Sequence, residues 1–287
     1  MKYIARPIRT SYWKMGHDWL GEIVHRVERI IREKDFLVIS EKAVSVAVGR
    51  VIDEETVRPT FLARLIAVGW MRIVWGWILG YLCHLSRANI ARLRQYPIEK
   101  GAAHKQLALE QAGFVQALRH GSEGGIDTSN LPFSLVSLPL DDPEKIAAKI
   151  RDRVFVETKK NITVLIVDSD KTYSLYGLHM SPRSTSIRSI RCLGLFAYIL
   201  GRLFKLTPRS TPLALIGENL SAEEVLEISA AANKVRGFGA GRTAWDMGEA
   251  FHVKPHEVTW EMLGTVKHTP VVIVRRQRID SRLGEGQ

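Results

Sequence analysis

The sequence predicts an α+β fold in which mixed or antiparallel sheets pack against helices. The chain has 287 residues, of which 46% are apolar, so it can bury a large core. Helical and strand patterns alternate along it, and the two runs "NITVLIVDSD" and "TPVVIVRR" are typical of strands buried on both faces. We therefore treat residues 1–287 as a single unit that has room for two subdomains.

The first predicted elements are a helix followed by a buried strand. In "DWLGEIVHRVERII", apolar residues from Trp19 to Ile31 recur on one helical face. The short apolar run "DFLVIS" then predicts a buried strand that ends at Ser40.

An apolar segment at residues 61–96 is predicted to be a helical insert. "FLARLIAVGWMRIVWGWILGYL", from Phe61 to Leu82, approaches the length of a membrane span of about 20 residues, but Arg64 and Arg72 interrupt it. The alternatives are helices buried in the core or in a subunit interface, helices at a membrane surface, or a true span. We expect burial, because so large an exposed apolar patch is unusual on a soluble monomer.

The later elements carry clear boundary signals. A helix from Gly101 to Arg119 is ended by "GSEGG", and "FSLVSLPL" follows as a strand. In the next helix Asp142 is the predicted N-cap and Pro143 the first helical residue. A capping box of Ser221 with Glu224 opens a helix to about Asn233, and "TPVVIVRR" is the last strand. Two loops remain as candidate functional segments, residues 121–130 and residues 236–269.

Two acids lie where predicted sheet strands meet loops. Asp127 follows the glycines of "HGSEGGIDTSN", and Asp168 lies where "TVLIVDSD" stops being apolar. Together with Ser169, these carboxylates suit a hard divalent cation, which needs one or two carboxylates besides water and phosphate oxygens. Asp, Ser and Asn also occur as ordinary turn residues, and on the residues alone this second interpretation is the simpler one.

The net charge indicates the kind of partner that the protein binds, and the cysteines indicate the compartment in which it is found. The net charge of +11 favours an anionic partner, which can be a phosphorylated small molecule, a nucleic acid or a membrane surface. No standard nucleic-acid motif occurs, so nucleic acid is not predicted. The two cysteines lack metal-ligand or redox spacing, and the N-terminus lacks a signal-peptide run, so we expect a cytoplasmic protein.

A glycine-rich run, "VRGFGAGRT", is a candidate phosphate-binding segment. Gly237, Gly239 and Gly241 would let backbone N–H groups approach a phosphate, which Arg236 or Arg242 could bind. The run follows a helix rather than a strand, so a flexible helix exit is the alternative. A histidine metal site in "HVKPH" is not predicted, because the proline there opposes a regular helix.

Several motifs together resemble the coenzyme F420-0:L-glutamate ligase family. They are "LVISEKAVSVAVGRVI", "GGIDTSNLP" with "LPLDDPEKIAAKI", and "VLIVDSD", in order and at similar spacing. The resemblance implies a cytoplasmic homodimer that uses GTP and Mg²⁺ or Mn²⁺. Such enzymes convert the carboxylate of a phosphorylated substrate, coenzyme F420-0 or a related compound, into an acyl phosphate. The amine of L-glutamate then attacks it to form an amide.

The resemblance also implies roles for individual residues. It makes Asp127, Asp168 and Ser169 metal ligands, with the two acids serving catalysis, and it makes Asn130 a nucleotide-binding residue. The glycine run and Arg242 would take the place of the family's glycine-rich nucleotide loop.

The chain departs from the family pattern in three places, the third being "DSDKT" in place of the usual Gly-Arg turn after the strand. The usual "SKAEGR" is "SVAVGR" here, so Val46 replaces a nucleotide-contacting lysine and Val48 an acid. Glu123 replaces an asparagine. Lys42, Arg50 or an arginine of the insert could supply the missing phosphate contact. These changes keep open a catalytically altered or non-catalytic nucleotide-binding relative, and contact with a membrane surface remains a further alternative.

Overall fold

A seven-stranded mixed sheet forms the centre of the computed structural model, which describes residues 2–277. Its strand order is β1-β9-β2-β5-β6-β7, and β8 pairs with β5; a separate pair, β3 and β4, makes a second small sheet. The strands are β1 (Lys2–Thr10), β2 (Phe36–Ser40), β3 (Val51–Asp53), β4 (Leu135–Ser137), β5 (Thr163–Leu175), β6 (Leu178–Ser181), β7 (Ile190–Cys192), β8 (Thr207–Ile216) and β9 (His268–Gln277).

Helices cover both faces of this sheet and form a separate group beside it. They are α1 (Trp19–Val27), α2 (Glu41–Ala47), α3 (Phe61–Leu65), α4 (Gly80–Leu82), α5 (Arg87–Arg94), α6 (Ile98–Gln111), α7 (Phe114–Ala117), α8 (Pro143–Thr158), α9 (Leu195–Leu203), α10 (Ala222–Arg236), α11 (Ala244–Phe251) and α12 (Trp260–Gly264). Since β2–β5 and β6–β7 are parallel while the other pairs are antiparallel, the predicted α+β fold with mixed pairing is confirmed.

The sheet is buried on both faces because successive side chains of a strand point in opposite directions. In β2, Leu37 and Ile39 pack with α1 and α8, whereas Phe36 and Val38 pack with α10 on the other side. Each such side chain, when fully buried, contributes about 1.5–3 kcal/mol. The two-sided core holds β2 and β5 firmly in place at the centre of the molecule.

The segment from Phe61 to Leu82 is one continuous helix, which we call the long apolar helix. It joins α3 to α4 through a wider π-helical stretch, Ile66–Leu79. Its inner face is fixed to the protein, since Trp70 and Trp75 both donate indole N–H bonds to the Leu118 carbonyl, at 2.7 and 2.8 Å.

The outer face of this helix is exposed, so the expectation of burial is met on one side only. By length and composition it is the single helix within residues 2–277 that could cross a membrane, and 33% of its most apolar window is buried. Burial of the outer face at a homodimer interface stays a prediction, because the structure describes one chain.

Three segments differ from their predicted boundaries. The helix expected from Gly101 to Arg119 breaks into α6 and α7, because Gly113 adopts a left-handed φ of 86° between them. The strand expected over 133–140 is reduced to β4, and residues 236–269 contain α11 and α12 rather than one loop. Strands β1 and β8 carry no clear sequence pattern; their pairing with β9 and β5 makes them strands.

Candidate active site

A cavity of about 500 Å³ opens beside the central strands β2 and β5. Its wall is built from the start of α2, the segment before β4, the middle of β5, the glycine run after α10 and the start of β9. Nine residues predicted from the sequence for the site lie in this wall: Lys42, Asp127, Asn130, Asp168, Ser169, Gly237, Gly239, Gly241 and Arg242. Arg236 lies there too, whereas Arg50 does not. The individual roles of the nine residues stay predictions, but they face one common space.

Asp127 is held by a short stretch of pairing with the chain before α8. Its backbone N–H donates to the Ser137 carbonyl at 3.2 Å and its carbonyl accepts from the Ser137 N–H at 3.0 Å. Its carboxylate accepts from the Ser129 backbone N–H at 2.8 Å and lies 2.9 Å from Lys42 Nζ. The acid of the "GGID" segment therefore holds a lysine and closes its own turn.

Lys42 lies in the first turn of α2, directly after β2, which points its ammonium group toward the same turn. Besides Asp127, it contacts the Ser129 hydroxyl at 2.9 Å and the Ser129 carbonyl. Burial lowers the pKa of Lys42, while the Asp127 carboxylate raises it again in part. The ammonium group is therefore fixed at the cavity wall by three oxygen atoms.

Asp168 lies within β5 rather than at its end, which corrects the sequence prediction. Strand β5 continues to Leu175 because β8 pairs along it, with a register irregularity between Asp168 and Lys171. Such a bulge redirects side chains locally. The Asp168 carboxylate thus lies at the cavity although the chain continues as a strand.

Arg183 lies between two buried carboxylates, those of Asp168 and Glu41. Its Nη1 lies 2.6 Å from Asp168 Oδ2, and the guanidinium also binds both oxygens of Glu41, with Nη2 at 2.8 Å from Oε1. Burial raises the pKa of Asp168, but Arg183 outweighs burial and holds that pKa below its ordinary value. Asp168 is therefore ionised at neutral pH.

The second glycine of the "GG" pair makes room for this arginine. Gly125 has a left-handed φ of 102°, and a Cβ at this position would lie 2.5 Å from Arg183 Cζ. A side chain here would therefore displace the guanidinium from Glu41 and Asp168. The glycine is required by this close approach as well as by the turn.

Asn130 is bonded to the glycine run. Its Nδ2 donates to the Phe238 carbonyl at 3.1 Å and to the Gly241 carbonyl at 2.8 Å, while its Oδ1 accepts from the Ala240 N–H at 2.7 Å. At Gly239 a Cβ would lie 2.4 Å from Asn130 Oδ1. The Asn130 amide therefore shapes the run, and a direct contact of Asn130 with nucleotide stays a prediction.

Positive charge dominates the wall of the cavity. Five cationic side chains line it against the two carboxylates of Asp127 and Asp168, namely Lys42, Lys171, Arg236, Arg242 and Lys267. Burial lowers the pKa of Lys171, and the neighbouring Arg236 lowers it further. Such crowding of like charge is relieved by an anion, so the cavity is suited to phosphate groups.

Val46, which stands where the family pattern has a lysine, makes one part of this wall apolar. Val46 lines the cavity, whereas Val48 is exposed outside it. Arg50 does not replace the lysine, because it binds Asp141 and the Pro139 carbonyl away from the cavity. The sequence did not identify Lys171 and Lys267 as cavity residues. Lys171 could have been found, because it ends the run "DSDK" that contains Asp168.

Glu123, the second departure, has its own partners. It lies 2.5 Å from Lys105 Nζ and 3.0 Å from His104 Nε2, and all three side chains are buried or nearly so. Glu123 therefore belongs to a buried ionic cluster with two residues of α6 rather than to the cavity.

The oxygen atoms at the cavity suit a divalent cation that takes only a few of its ligands from the protein. Asp168 Oδ1 and Ser169 Oγ lie 3.4 Å apart, close to the roughly 3.0 Å between adjacent ligands in an octahedron with bonds of about 2.1 Å. Across residues 2–277, no group of three or more His, Cys, Asp or Glu side chains could hold an ion. Water and phosphate oxygens would have to complete the coordination, as magnesium commonly requires.

Comparison with known proteins identifies the family of the chain. A family model described as F420-0:Gamma-glutamyl ligase matches residues 7–208, which include Lys42, Asp127 and Asp168. A protein of Methanocaldococcus jannaschii that is described as uncharacterized is 30% identical over 285 residues, covering 94% of this chain and 96% of that protein. The glycine run lies beyond the residues matched by the family model. The chain therefore belongs to the F420-0:gamma-glutamyl ligase family and is a ligase of coenzyme F420 biosynthesis.

Proposed function

We propose that the chain joins L-glutamate to a phosphorylated carboxylate substrate, coenzyme F420-0 or a related compound, and that GTP drives the reaction. The observation that carries this proposal is the cavity in which five cationic side chains oppose two carboxylates. A nucleoside triphosphate and a phosphorylated acceptor are both polyanions, so their binding would neutralise the excess positive charge.

The proposed reaction has two steps. A carboxylate oxygen of the acceptor attacks the terminal phosphorus of GTP, the bond from that phosphorus to the bridging oxygen breaks, and GDP leaves. The glutamate amine then attacks the acyl carbon of the resulting acyl phosphate. The C–N bond forms, the C–O bond to phosphate breaks, and the amine nitrogen loses a proton.

The side chains of the cavity would act by holding and neutralising charge. Lys42 and Arg242 line the cavity from two different segments of the chain. Arg242 is stacked on the Phe238 ring with its Cζ 4.0 Å from the ring centroid. Charge-assisted hydrogen bonds from such groups stabilise the transferring phosphoryl group. No protein nucleophile is needed for this chemistry.

Asp127, Asp168 and Ser169 would hold Mg²⁺ or Mn²⁺ at the phosphates. Such an ion, when bound, neutralises phosphate charge and orients the donor. Asp127 would keep its contact with Lys42 and offer its remaining lone pairs, while Arg183 would continue to hold Asp168 in its ionised form.

A second candidate is a relative that binds nucleotide without turnover. Val46 in the cavity wall favours it, because a valine cannot donate a hydrogen bond to phosphate where the family's lysine would. Release of phosphate from GTP in the presence of acceptor and L-glutamate distinguishes the two candidates.

The test is Asp127→Asn, measured by phosphate release and by incorporation of labelled L-glutamate, with and without magnesium. The variant keeps the side-chain size but removes the charge, so the fold should persist while metal-dependent turnover falls at least about 100-fold. Asp141→Asn is the matched control, because that acid is 74% exposed and pairs with Arg50 outside the cavity. Equal turnover in wild type and Asp127→Asn would remove Asp127 from the mechanism. Binding of GTP without phosphate release by the wild type would favour the second candidate.

A further inference from the structure

The long apolar helix carries large apolar side chains on the side that faces away from the protein. Leu65, Ile73, Trp77 and Tyr81 recur at intervals of four or eight residues and are between 54% and 60% exposed. The residues two positions away, Ala63, Ala67, Met71 and Trp75, are buried. With four to five residues per turn in the π-helical stretch, the two sets lie on opposite sides.

Helix α9 extends this exposed surface. Arg202 near its end donates hydrogen bonds to the Cys83 carbonyl at 2.9 Å and to the His84 carbonyl at 3.1 Å, so the end of α9 lies beside α4. Phe196 and Phe204 of this region are 61% and 64% exposed. We define the apolar face as Leu65, Ile73, Trp77, Tyr81, Phe196 and Phe204.

The two segments that form the apolar face contain no acidic residue. Residues 57–98 include six arginines and no Asp or Glu, and residues 171–217 include seven Lys or Arg and again no Asp or Glu. Four of these cations pair with acids of other segments, namely Arg64, Arg92, Arg183 and Arg209. Arg72, Arg94 and Arg202 donate to backbone carbonyls, of Tyr96, Gly76 and Cys83. Arg87 and Lys205 are exposed and form no ion pair within residues 2–277, so the surroundings of the apolar face keep an excess of positive charge.

A second copy of the chain is a poor occupant of this face. In a two-fold dimer the same surface meets itself, so arginines would approach arginines with no carboxylate from either segment to pair with them. Like charges brought together in this way oppose association.

An anionic lipid bilayer complements both properties of the face. Apolar side chains enter the boundary between headgroups and acyl chains, and flanking Lys and Arg bind anionic headgroups. Trp77 and Tyr81 each have an apolar ring with a polar atom, and such side chains are enriched at this boundary. Arg94 stacks on Trp77, with its Cζ 3.5 Å from the ring centroid, and so places a positive charge beside it.

We propose that the apolar face docks on the surface of an anionic phospholipid bilayer, with the long apolar helix lying along that surface. The helix does not span the bilayer, because its inner face is held against the protein by the two indole bonds to Leu118. This inference is independent of the proposed ligase reaction, since no residue of the apolar face lines the cavity.

Co-sedimentation of the full chain with vesicles tests the proposal. One set of vesicles is phosphatidylcholine alone and the other contains about one-third phosphatidylglycerol. We expect the wild type to bind the anionic vesicles at least tenfold more tightly, with affinity falling as salt rises. Trp77→Ser with Phe204→Ser should lower that affinity at least tenfold, and so should Arg87→Glu with Lys205→Glu.

Two control variants lie on α8, which packs against α1, β5 and β8. Val156→Ser removes an exposed apolar side chain, and Lys149→Glu reverses an exposed charge. Both should bind vesicles like the wild type, and circular dichroism with thermal unfolding should show that every variant is folded.

Three outcomes would overturn the proposal. Wild-type protein that stays in the supernatant with both kinds of vesicle does not dock on lipid. A dimer that becomes monomeric in Trp77→Ser with Phe204→Ser, without vesicle binding by the wild type, assigns the face to a second copy. Equal binding to neutral and anionic vesicles contradicts the part assigned to the basic residues.

Discussion

Arg183→Met removes the cation that lies between two buried carboxylates of the candidate site. Glu41 is 2% exposed and Asp168 6% exposed, so neither can regain water without a local opening of the structure. Loss of one partner from a buried ionic group costs about 3–5 kcal/mol, because the remaining charge stays buried without compensation. We expect the free energy of unfolding of Arg183→Met at pH 7 to fall by that amount.

Two further variants separate the charge from the geometry. Arg183→Lys keeps the positive charge but loses the planar fork that binds Glu41 and Asp168 together, so it should cost about 1.5–3 kcal/mol. Arg50→Met removes an arginine whose partner, Asp141, is exposed, and it should cost at most about 1 kcal/mol. Urea unfolding followed by circular dichroism measures all three.

The loss of unfolding free energy in Arg183→Met should depend on pH. Burial already raises the pKa of Glu41 with Arg183 in place, and without the arginine it raises the pKa of Asp168 as well and that of Glu41 further. The destabilisation is then complete above the raised pKa values and diminishes as the pH falls through them. The difference between wild type and Arg183→Met should therefore shrink as the pH falls from 7 toward about 4, the ordinary pKa of these carboxyl groups. A loss below about 1 kcal/mol, or a difference that does not change with pH, would refute this account of the site.

Two predictions concern the glycine run. Arg242→Ala should weaken GTP binding by about 1–3 kcal/mol in a calorimetric titration, if Arg242 makes a charge-assisted phosphate contact; an unchanged affinity would exclude that contact. Gly239→Ala should weaken GTP binding more than Gly237→Ala, since both glycines have a left-handed φ but only at position 239 would the added Cβ collide with Asn130. Equal affinities of the two variants would show that the Asn130 contact does not shape the nucleotide site.

The sequence by itself determined those features whose causes are local. Asp142 caps α8 with Pro143 in its first turn, and Ser221 with Glu224 forms the capping box of α10, as the residue patterns predicted. The buried strands were equally predictable, because continuous apolar runs of this length favour a sheet that is covered on both faces. The sequence motifs also contained nine of the residues that line the cavity, but not Lys171 and Lys267, which line it as well.

Only the tertiary structure decided which charges meet and which apolar faces stay open. Arg183 binds Glu41 across 142 residues of sequence, and nothing near Arg183 distinguishes it from a surface arginine. The position of Asp168 within β5 depends on pairing with β8, and the outer face of the long apolar helix depends on what packs beside it. Local patterns predict helices, caps and buried strands, whereas buried ion pairs and exposed faces arise from contacts between segments that are distant in the chain.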